Sequence, residues 1–482
     1  MMDAFASWFL GVVPWLNLFI LGYYVLVNGV YFTLLLISAV ATDHHRRSRR
    51  AAPFKHTGEG AATPPVTVIV PAYNEAANIV ESISSLLQLN YPSHELVVVD
   101  DGSTDETLER LITAFDLTEV DLIYRAHIPT NAPADRFFVN PSLPGLTVVT
   151  KENTGKADSL NVGINLSRCP YFCSMDADSV LERDALLHLM GPIIEAPNEV
   201  VATGGIVRIA NGCDVRDGRV EKVGLPKDFL SRLQVVEYLR CFLFGRTGWS
   251  SLGALLILSG TFSLFHKREV MQLGGYDTRT VSEDMELVVR LHRRLRQERS
   301  PYRVTFVADP ICWTEAPTQL GQLSRQRRRW HQGLGETLLH HLPMLGNPRF
   351  GSVGLLGIPF QWVELLGPLV ELGGYAVVIA SALLGVLSVD FLVLYLVLSL
   401  LMGIFLSVGA VLLEELTERR YARWRDVAIL LLFAVLENFG YRQLTVFWRV
   451  RGLMRLPFNR GRWDVVEKKG FNQGKKAAEA NP

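Results

Sequence analysis

From Ala4 to Thr42 no residue carries a charge. A helix rises about 1.5 Å per residue and one bilayer crossing needs roughly 20 apolar residues, so this stretch exceeds a single crossing. It predicts a membrane-buried segment. Either one tilted helix follows an interfacial piece around Trp8 and Trp15, or a tight pair breaks near Pro14. The start has no basic region and no small-residue cleavage site, so a removable leader is not expected. Asp43-His44-His45-Arg46-Arg47-Ser48-Arg49-Arg50 comes next, and a basic cluster beside a membrane segment favours the cytoplasmic face.

The stretch 60–345 is mixed in polarity throughout, and apolar runs return only after it. Leu372–Val389 and Phe391–Leu413, separated by Asp390, predict a helical hairpin. A third run, Val427–Trp448, carries Glu437, Asn438, Arg442 and Gln443 in its second half. Lipid cannot satisfy such groups, so they must face a protein interior or a wet cavity. Arginines flank that run on both sides, which conflicts with a single crossing and leaves a re-entrant or interfacial placement open. Residues 353–370, with Phe360, Trp362, Leu365 and Leu366, predict an amphipathic interface helix. The expected organisation is a membrane segment (1–42), a basic linker (43–64), a soluble domain (65–345), an interface helix with membrane helices (346–450) and a basic tail (451–482).

Lys plus Arg and Asp plus Glu both number 48, so the net charge is zero and a general nucleic-acid coat is excluded. The hydrophobic fraction of 49% excludes disorder for most of the chain. Five cysteines are too few and too scattered for a disulfide scaffold, which fits a reducing compartment for the soluble part. Cys169 and Cys173 have no second pair at zinc-finger spacing, and His44-His45 belongs with the basic anchor.

Within the soluble part, strand runs alternate with helical ones. Val66–Val70 ends at Pro71, and a helical pattern covers 77–87. Leu96–Val99 ends in Asp100-Asp101-Gly102-Ser103, followed by a helical 104–115. Lys156–Ser167 is a further helix, and Tyr171–Met175 runs into Asp176-Ala177-Asp178-Ser179. This alternation predicts an α/β fold with a mostly parallel, doubly wound sheet, whose ligands bind at the carboxyl ends of strands. Three predicted strands end in chemically active residues: Tyr73-Asn74-Glu75, Asp100-Asp101 and Asp176/Asp178.

Each cluster has an ordinary reading beside a functional one. Asp176-x-Asp178 offers hard oxygen ligands for Mg²⁺ or Mn²⁺, yet Asp and Ser also make common turns. Asp100-Asp101-Gly102-Ser103 is turn-like, and Pro71-Ala72-Tyr73-Asn74-Glu75 is equally a strand stop with a helix cap. Gly155-Lys156 opens a helix with a cation suited to a diphosphate, without being a Walker loop. Glu283-Asp284 is either a general base or a first-turn acid favoured by the helix dipole. Gln326-Arg327-Arg328-Arg329-Trp330 offers arginines for a diphosphate and an indole for a sugar face, or else a headgroup anchor.

The order of these clusters is more telling than any one. PAYNE, DDGS, GKADSLN, DAD, SGTFSLF, SED and QRRRW together resemble family 2 glycosyltransferases, and more narrowly their membrane-embedded processive branch of cellulose, hyaluronan and poly-N-acetylglucosamine synthases. The resemblance covers about Pro65 to Leu338. It implies a GT-A-like cytosolic domain between membrane helices, using a nucleotide-diphosphate sugar and Mg²⁺ or Mn²⁺ with inversion. By motif, Ala72, Tyr73, Glu75 and Asp101 would line the nucleoside pocket, with Asp100 beside them and Lys156 near the phosphates. Asp176 would contact the ribose side and share the metal with Asp178. Asp284 would be the base, Gln326 and Arg329 would hold the diphosphate, and Trp330 would stack under the acceptor sugar. Ser259, Gly260 and Thr261 would line the acceptor's path.

Ser282 stands where many relatives have Thr, and the stretch after the last apolar run is too short for the cyclic-dinucleotide barrel of bacterial cellulose synthases. The Pro- and Asn-rich 127–146 reads as an inserted loop. The expected activity is hexosyl transfer, from UDP-GlcNAc or another UDP-hexose, on to a growing polysaccharide with membrane translocation. Single transfer to a lipid or short acceptor, and an inactive subunit of a secretion complex, are the alternatives. Expected partners are the donor, a polysaccharide or glycolipid acceptor, membrane lipids and secretion-complex subunits, and the expected location is a bacterial-type inner membrane.

Overall fold

Alternating apolar runs and amphipathic helices build one ten-stranded sheet in the computed structural model, which describes residues 2–51, 63–216, 218–417, 419–421 and 423–456. Residues 52–62 of the expected linker and 457–482 of the expected tail lie outside the described residues. The strands are β1 (Val66–Ala72), β2 (His94–Asp100), β3 (Thr118–Val120), β4 (Phe137–Val139), β5 (Leu146–Thr150), β6 (Tyr171–Met175), β7 (Ser179–Leu181), β8 (Val200–Ile209), β9 (Asp214–Arg216), β10 (Arg219–Lys222), β11 (Phe262–His266) and β12 (Arg303–Thr314). The large sheet runs β3-β4-β5-β2-β1-β6-β11-β8-β12-β7, and β9 and β10 form a separate hairpin.

The centre, β5-β2-β1-β6, is parallel as the sequence predicts. Beyond it β11 runs antiparallel to both β6 and β8, so the whole is a mixed sheet with a parallel heart. Val66, Val68, Ile69 and Val70 of β1 are fully buried. Burial of this kind is worth about 1.5–3 kcal/mol for each side chain. The helix Lys156–Leu166 crosses β1 so closely that a Cβ on Gly163 would meet Ile69 Cγ2 at 2.2 Å. That approach fixes Lys156, at the helix start, over the strand ends. Pro310 interrupts β12, and the register against β8 shifts on either side of it because proline has no N–H to give the ladder.

Among the described residues, three helices are long and apolar enough to cross a membrane, Gly11–Arg47, Val353–Leu383 and Val389–Leu416, and a bent pair taken as one span would make a fourth. The first belongs to one helix, Met2–Ala51, that runs unbroken through Pro14. The second joins the predicted interface helix and the first hairpin arm into a single rod, opening with a π-helical turn at Val353–Gly357. Nothing in 353–383 breaks the helix, since Pro368 sits inside it. The polar third run is a bent pair, Trp424–Leu436 and Tyr441–Arg455, at 57° to each other. The break falls at Gly440, where φ is +86°, a conformation glycine adopts without steric cost. Leu18, Val40, Val389 and Leu401 leave apolar surface on the outside of these helices, as a lipid-facing bundle requires. A buried pair, Arg208 of β8 with Glu414 at 2.6 Å, ties sheet to bundle, and His45 meets Asp309 at 3.0 Å.

Candidate functional site

The parallel strands end on one edge, and each runs into a short polar loop. After β1, Asn74 takes a left-handed conformation (φ +56°), and its side-chain oxygen accepts from Thr104 N at 2.8 Å. The first two loops are thereby sewn together, with Glu75 N donating to Thr107 Oγ1 at 2.9 Å. After β2, Asp101 is buried and accepts from Thr154 N (3.1 Å), Gly155 N (2.8 Å) and Lys151 Nζ (2.5 Å). Asp100 turns to Ser103 instead, and burial raises its carboxyl against those hydrogen bonds.

Lys151 is fully buried, with Asp158 3.4 Å away as its second acid. Asp158 also accepts from Asn131 N at 2.7 Å, and Asn165 Oδ1 accepts from Ile128 N at 2.8 Å. The inserted loop is thus fastened on to the helix Lys156–Leu166, and its second half supplies β4. Sequence reasoning passes over Lys151 and Asp158, which read as a solvated lysine and a helix acid. The available signal is a lysine directly after a buried strand, where a free cation would be costly without partners.

Around the end of β6 the predicted residues converge. Lys156 Nζ contacts Asp176 Oδ1, donates to Gly260 O at 3.1 Å and lies 3.7 Å from Glu283. Burial works against its charge, but Asp176 and Glu283 outweigh it and raise the ammonium above its ordinary value. Gly260 N donates to Asp284 Oδ2 at 3.0 Å, while Ser282 Oγ and Met285 N hold Oδ1 at 3.2 and 2.8 Å. Asp284 therefore keeps one oxygen turned to the Ser259–Thr261 turn, whose Thr261 O accepts from Asp176 N at 3.2 Å. Its neighbour Glu283 is buried away from water. That burial, opposed by Lys156 and reinforced by Asp284, pushes the carboxyl up to about 7.

The helix Leu320–His340 closes the site from the other side. Its three consecutive arginines, alike in sequence, differ in place. Arg327 is buried, 2.7 Å from Glu237, and Tyr441 OH donates to the same Glu237 oxygen at 2.6 Å. Arg327 also lies over the Trp330 ring, 4.3 Å from its centroid, and donates to Gln326 Oε1 at 3.0 Å. Arg329 and Trp330 line the cavity, and the indole is 43% exposed. With one ring face near Arg327, its remaining surface is available to a flat apolar partner. Glu237, which sequence reasoning does not single out, joins the two halves of the site.

One cavity of about 900 Å³ connects these groups. Ala72, Tyr73, Glu75, Asp101, Lys156, Asp176, Asp178, Ser259, Gly260, Thr261, Asp284, Gln326, Arg329 and Trp330 all line it, whereas Asp100 does not. The same cavity continues between the membrane helices, where Glu371, Glu437, Asn438 and Arg442 form its wall. Arg240 reaches Glu437 at 2.8 Å and Arg442 lies 3.5 Å from Glu371. Glu437, Asn438 and Arg442 of the third apolar run thus face a protein-lined space, as their cost in lipid demands.

Comparison with known proteins points one way. Residues 171–413 match the family described as Glycosyl transferase family group 2, and residues 67–127 match Glycosyl transferase family 2. A poly-beta-1,6-N-acetyl-D-glucosamine synthase of Staphylococcus aureus is 30% identical over 274 residues, which take in 57% of this chain and 55% of that protein. The Staphylococcus epidermidis synthase of the same name is 28% identical over 278 residues, with the same two shares. The chain thus spans little more than half the length of these curated relatives. A mannosyltransferase of Pyrobaculum calidifontis, solved with GDP-Man and Mn²⁺, superimposes with a TM-score of 0.52 at 20% identity, over 88% of this chain and 99% of that one. That likeness places the sheet domain in the GT-A-like fold.

Proposed function

We propose that this chain, which belongs to glycosyl transferase family group 2, transfers hexose units from a nucleotide-diphosphate sugar on to a growing polysaccharide and passes the product into its own membrane helices. The observation that carries this reading is the single cavity running from Asp284 and Trp330 to Glu371 and Arg442. UDP-GlcNAc is the first donor to try, given what the staphylococcal relatives are named for. The basic cluster Arg46–Arg50 supports a cytoplasmic sheet domain in a bacterial-type inner membrane.

In this reading Asp284 accepts the proton of the attacking sugar hydroxyl, a contribution of about 10²–10⁴-fold. The amide of Gly260 and the hydroxyl of Ser282 orient its two oxygens beforehand. Lys156 and Arg329 stabilise charge on the departing diphosphate, and Gln326 helps to hold it. Ala72, Tyr73, Glu75 and Asp101 shape the nucleoside end, while Ser259, Gly260, Thr261 and Trp330 shape the acceptor end. Asp176 and Asp178 fit a divalent cation, because both are hard oxygen donors on the cavity wall at the end of β6. Bound there, Mg²⁺ or Mn²⁺ would neutralise charge on the leaving diphosphate. One displacement inverts the anomeric centre and needs no covalent enzyme intermediate.

The test is a screen of UDP-sugars with Mn²⁺ on detergent-purified protein, following UDP release and sizing the product on a gel. A high-mass product from one donor is expected. Release of UDP with one added sugar would move the protein to single transfer, and silence with every donor would favour an inactive subunit.

A further inference from the structure

The helix that begins with Glu283 and the helix that ends at His340 meet again away from the cavity. Glu286 is buried; Arg290 holds its Oε2 at 2.8 Å, and Oε1 has only the longer 3.4 Å contact with His341 Nε2. His341 is buried beside it, and its Nδ1 has no hydrogen-bond partner among the described residues. A buried imidazole and a buried carboxylate oxygen joined only by one long contact are poorly satisfied unless something bridges them. His340 stands next to them at the surface, and the three offer one ligand atom each within 4.8 Å of one another.

We propose that Glu286, His340 and His341 hold a structural transition-metal ion, Zn²⁺ by ligand type, separate from the Mg²⁺ or Mn²⁺ expected at Asp178. Two imidazoles with a single carboxylate suit Zn²⁺ rather than the oxygen-seeking Mg²⁺ or Ca²⁺. Tetrahedral ligands about 2 Å from zinc stand about 3.4 Å apart. Glu286 Oε1 and His341 Nε2 already lie 3.4 Å apart. The exposed His340 closes the third edge by a side-chain rotation, and its exposure leaves water access to the fourth position. Arg290 lies against the other carboxylate oxygen, Oε2, at 2.8 Å, which leaves Oε1 to the metal. The ion would lock the helix carrying Asp284 to the one carrying Arg329 and Trp330. The segment leading into the first helix already meets the second where Thr280 Oγ1 and Val281 N each donate to Glu336 Oε2 at 3.2 Å.

The test reads metal content rather than turnover, so its failure is separate from that of the glycosyl-transfer reading. The full chain in detergent is stripped with a chelator, loaded with Zn²⁺, desalted and analysed by mass spectrometry. About one zinc per chain should remain, and Asp178→Asn should retain it. Glu286→Gln should lose it, and His340→Ala, a change at the surface that spares the fold, should weaken Zn²⁺ affinity by roughly tenfold or more. Loading with Co²⁺ should give a tetrahedral visible spectrum that His340→Ala alters. Zinc absent after desalting, zinc lost in Asp178→Asn, or binding and spectrum unchanged in His340→Ala would each overturn the site.

Discussion

Near the sheet end of the cavity two lysines are each shared among several partners. Lys151 meets Asp101, Asp158 and Thr154 Oγ1, and Lys156 meets Asp176, Glu283 and Gly260 O. At the membrane end the arginines make sparser contacts: Arg240 with Glu437 and Ser407 Oγ, Arg442 with Glu371 and Ser399 O. The first arrangement over-determines positions, which suits charge held in place for a transition state. The second leaves side chains able to trade partners with water or sugar hydroxyls as something slides past. In the proposed function, the contrast separates a place where bonds change from a path along which the product would move.

The largest expected break of that contrast is Asp284→Asn. It should lower turnover by about 10²–10⁴-fold or more while sparing UDP binding, read by calorimetry. Substantial remaining turnover would put the base elsewhere. Next comes the joint between the two ends. Glu237→Ala leaves Arg327 buried without its acid, at a cost of about 3 kcal/mol, visible as a lower thermal midpoint. An unchanged midpoint would show that the pair carries no structural weight. Trp330→Ala should cut chain elongation about two- to tenfold and leave donor hydrolysis nearly intact, since stacking is worth about 0.5–1.5 kcal/mol. Equal loss of both would argue against stacking.

The smallest effect sharpens the sheet end alone. Glu283 titrates near 7 in the folded chain against an ordinary 4.5. The native state thus keeps a proton that the unfolded chain has released, so the contribution of Glu283 to stability is greatest below 4.5 and declines as pH rises through this window to 7. Unfolding midpoints measured between these pH values should fall in the wild type and stay flatter in Glu283→Gln.

Legibility followed the same divide. The strand-end clusters were readable because a buried parallel strand must stop at polar turn residues, and those stops define the site edge. Fourteen residues from Ala72 to Trp330 that the sequence singles out share one cavity, while Asp100 ends its strand against Ser103. Lys151 and Glu237 escaped because partners about 50 and 90 positions away in sequence decide whether such a residue is a solvated charge or a buried tie. The antiparallel β11 and the interrupted β12 were hidden for another reason. A proline inside a strand weakens its signal, and a strand's direction is set by its neighbours rather than by its own residues. In the membrane half, hydropathy locates the spans but cannot say that 353–383 is one rod, because an interface helix and a span share composition.

Glu237 carries one last consequence. A single oxygen accepts from Arg327, on the helix of Arg329 and Trp330, and from Tyr441, at the start of the bent membrane helix. Any displacement of one helix that weakens its own bond changes the charge felt by the other. In the proposed function this oxygen couples the nucleotide end to the membrane end, and by thermodynamic reciprocity a product held between the membrane helices would alter nucleotide affinity by the same factor as nucleotide alters its own.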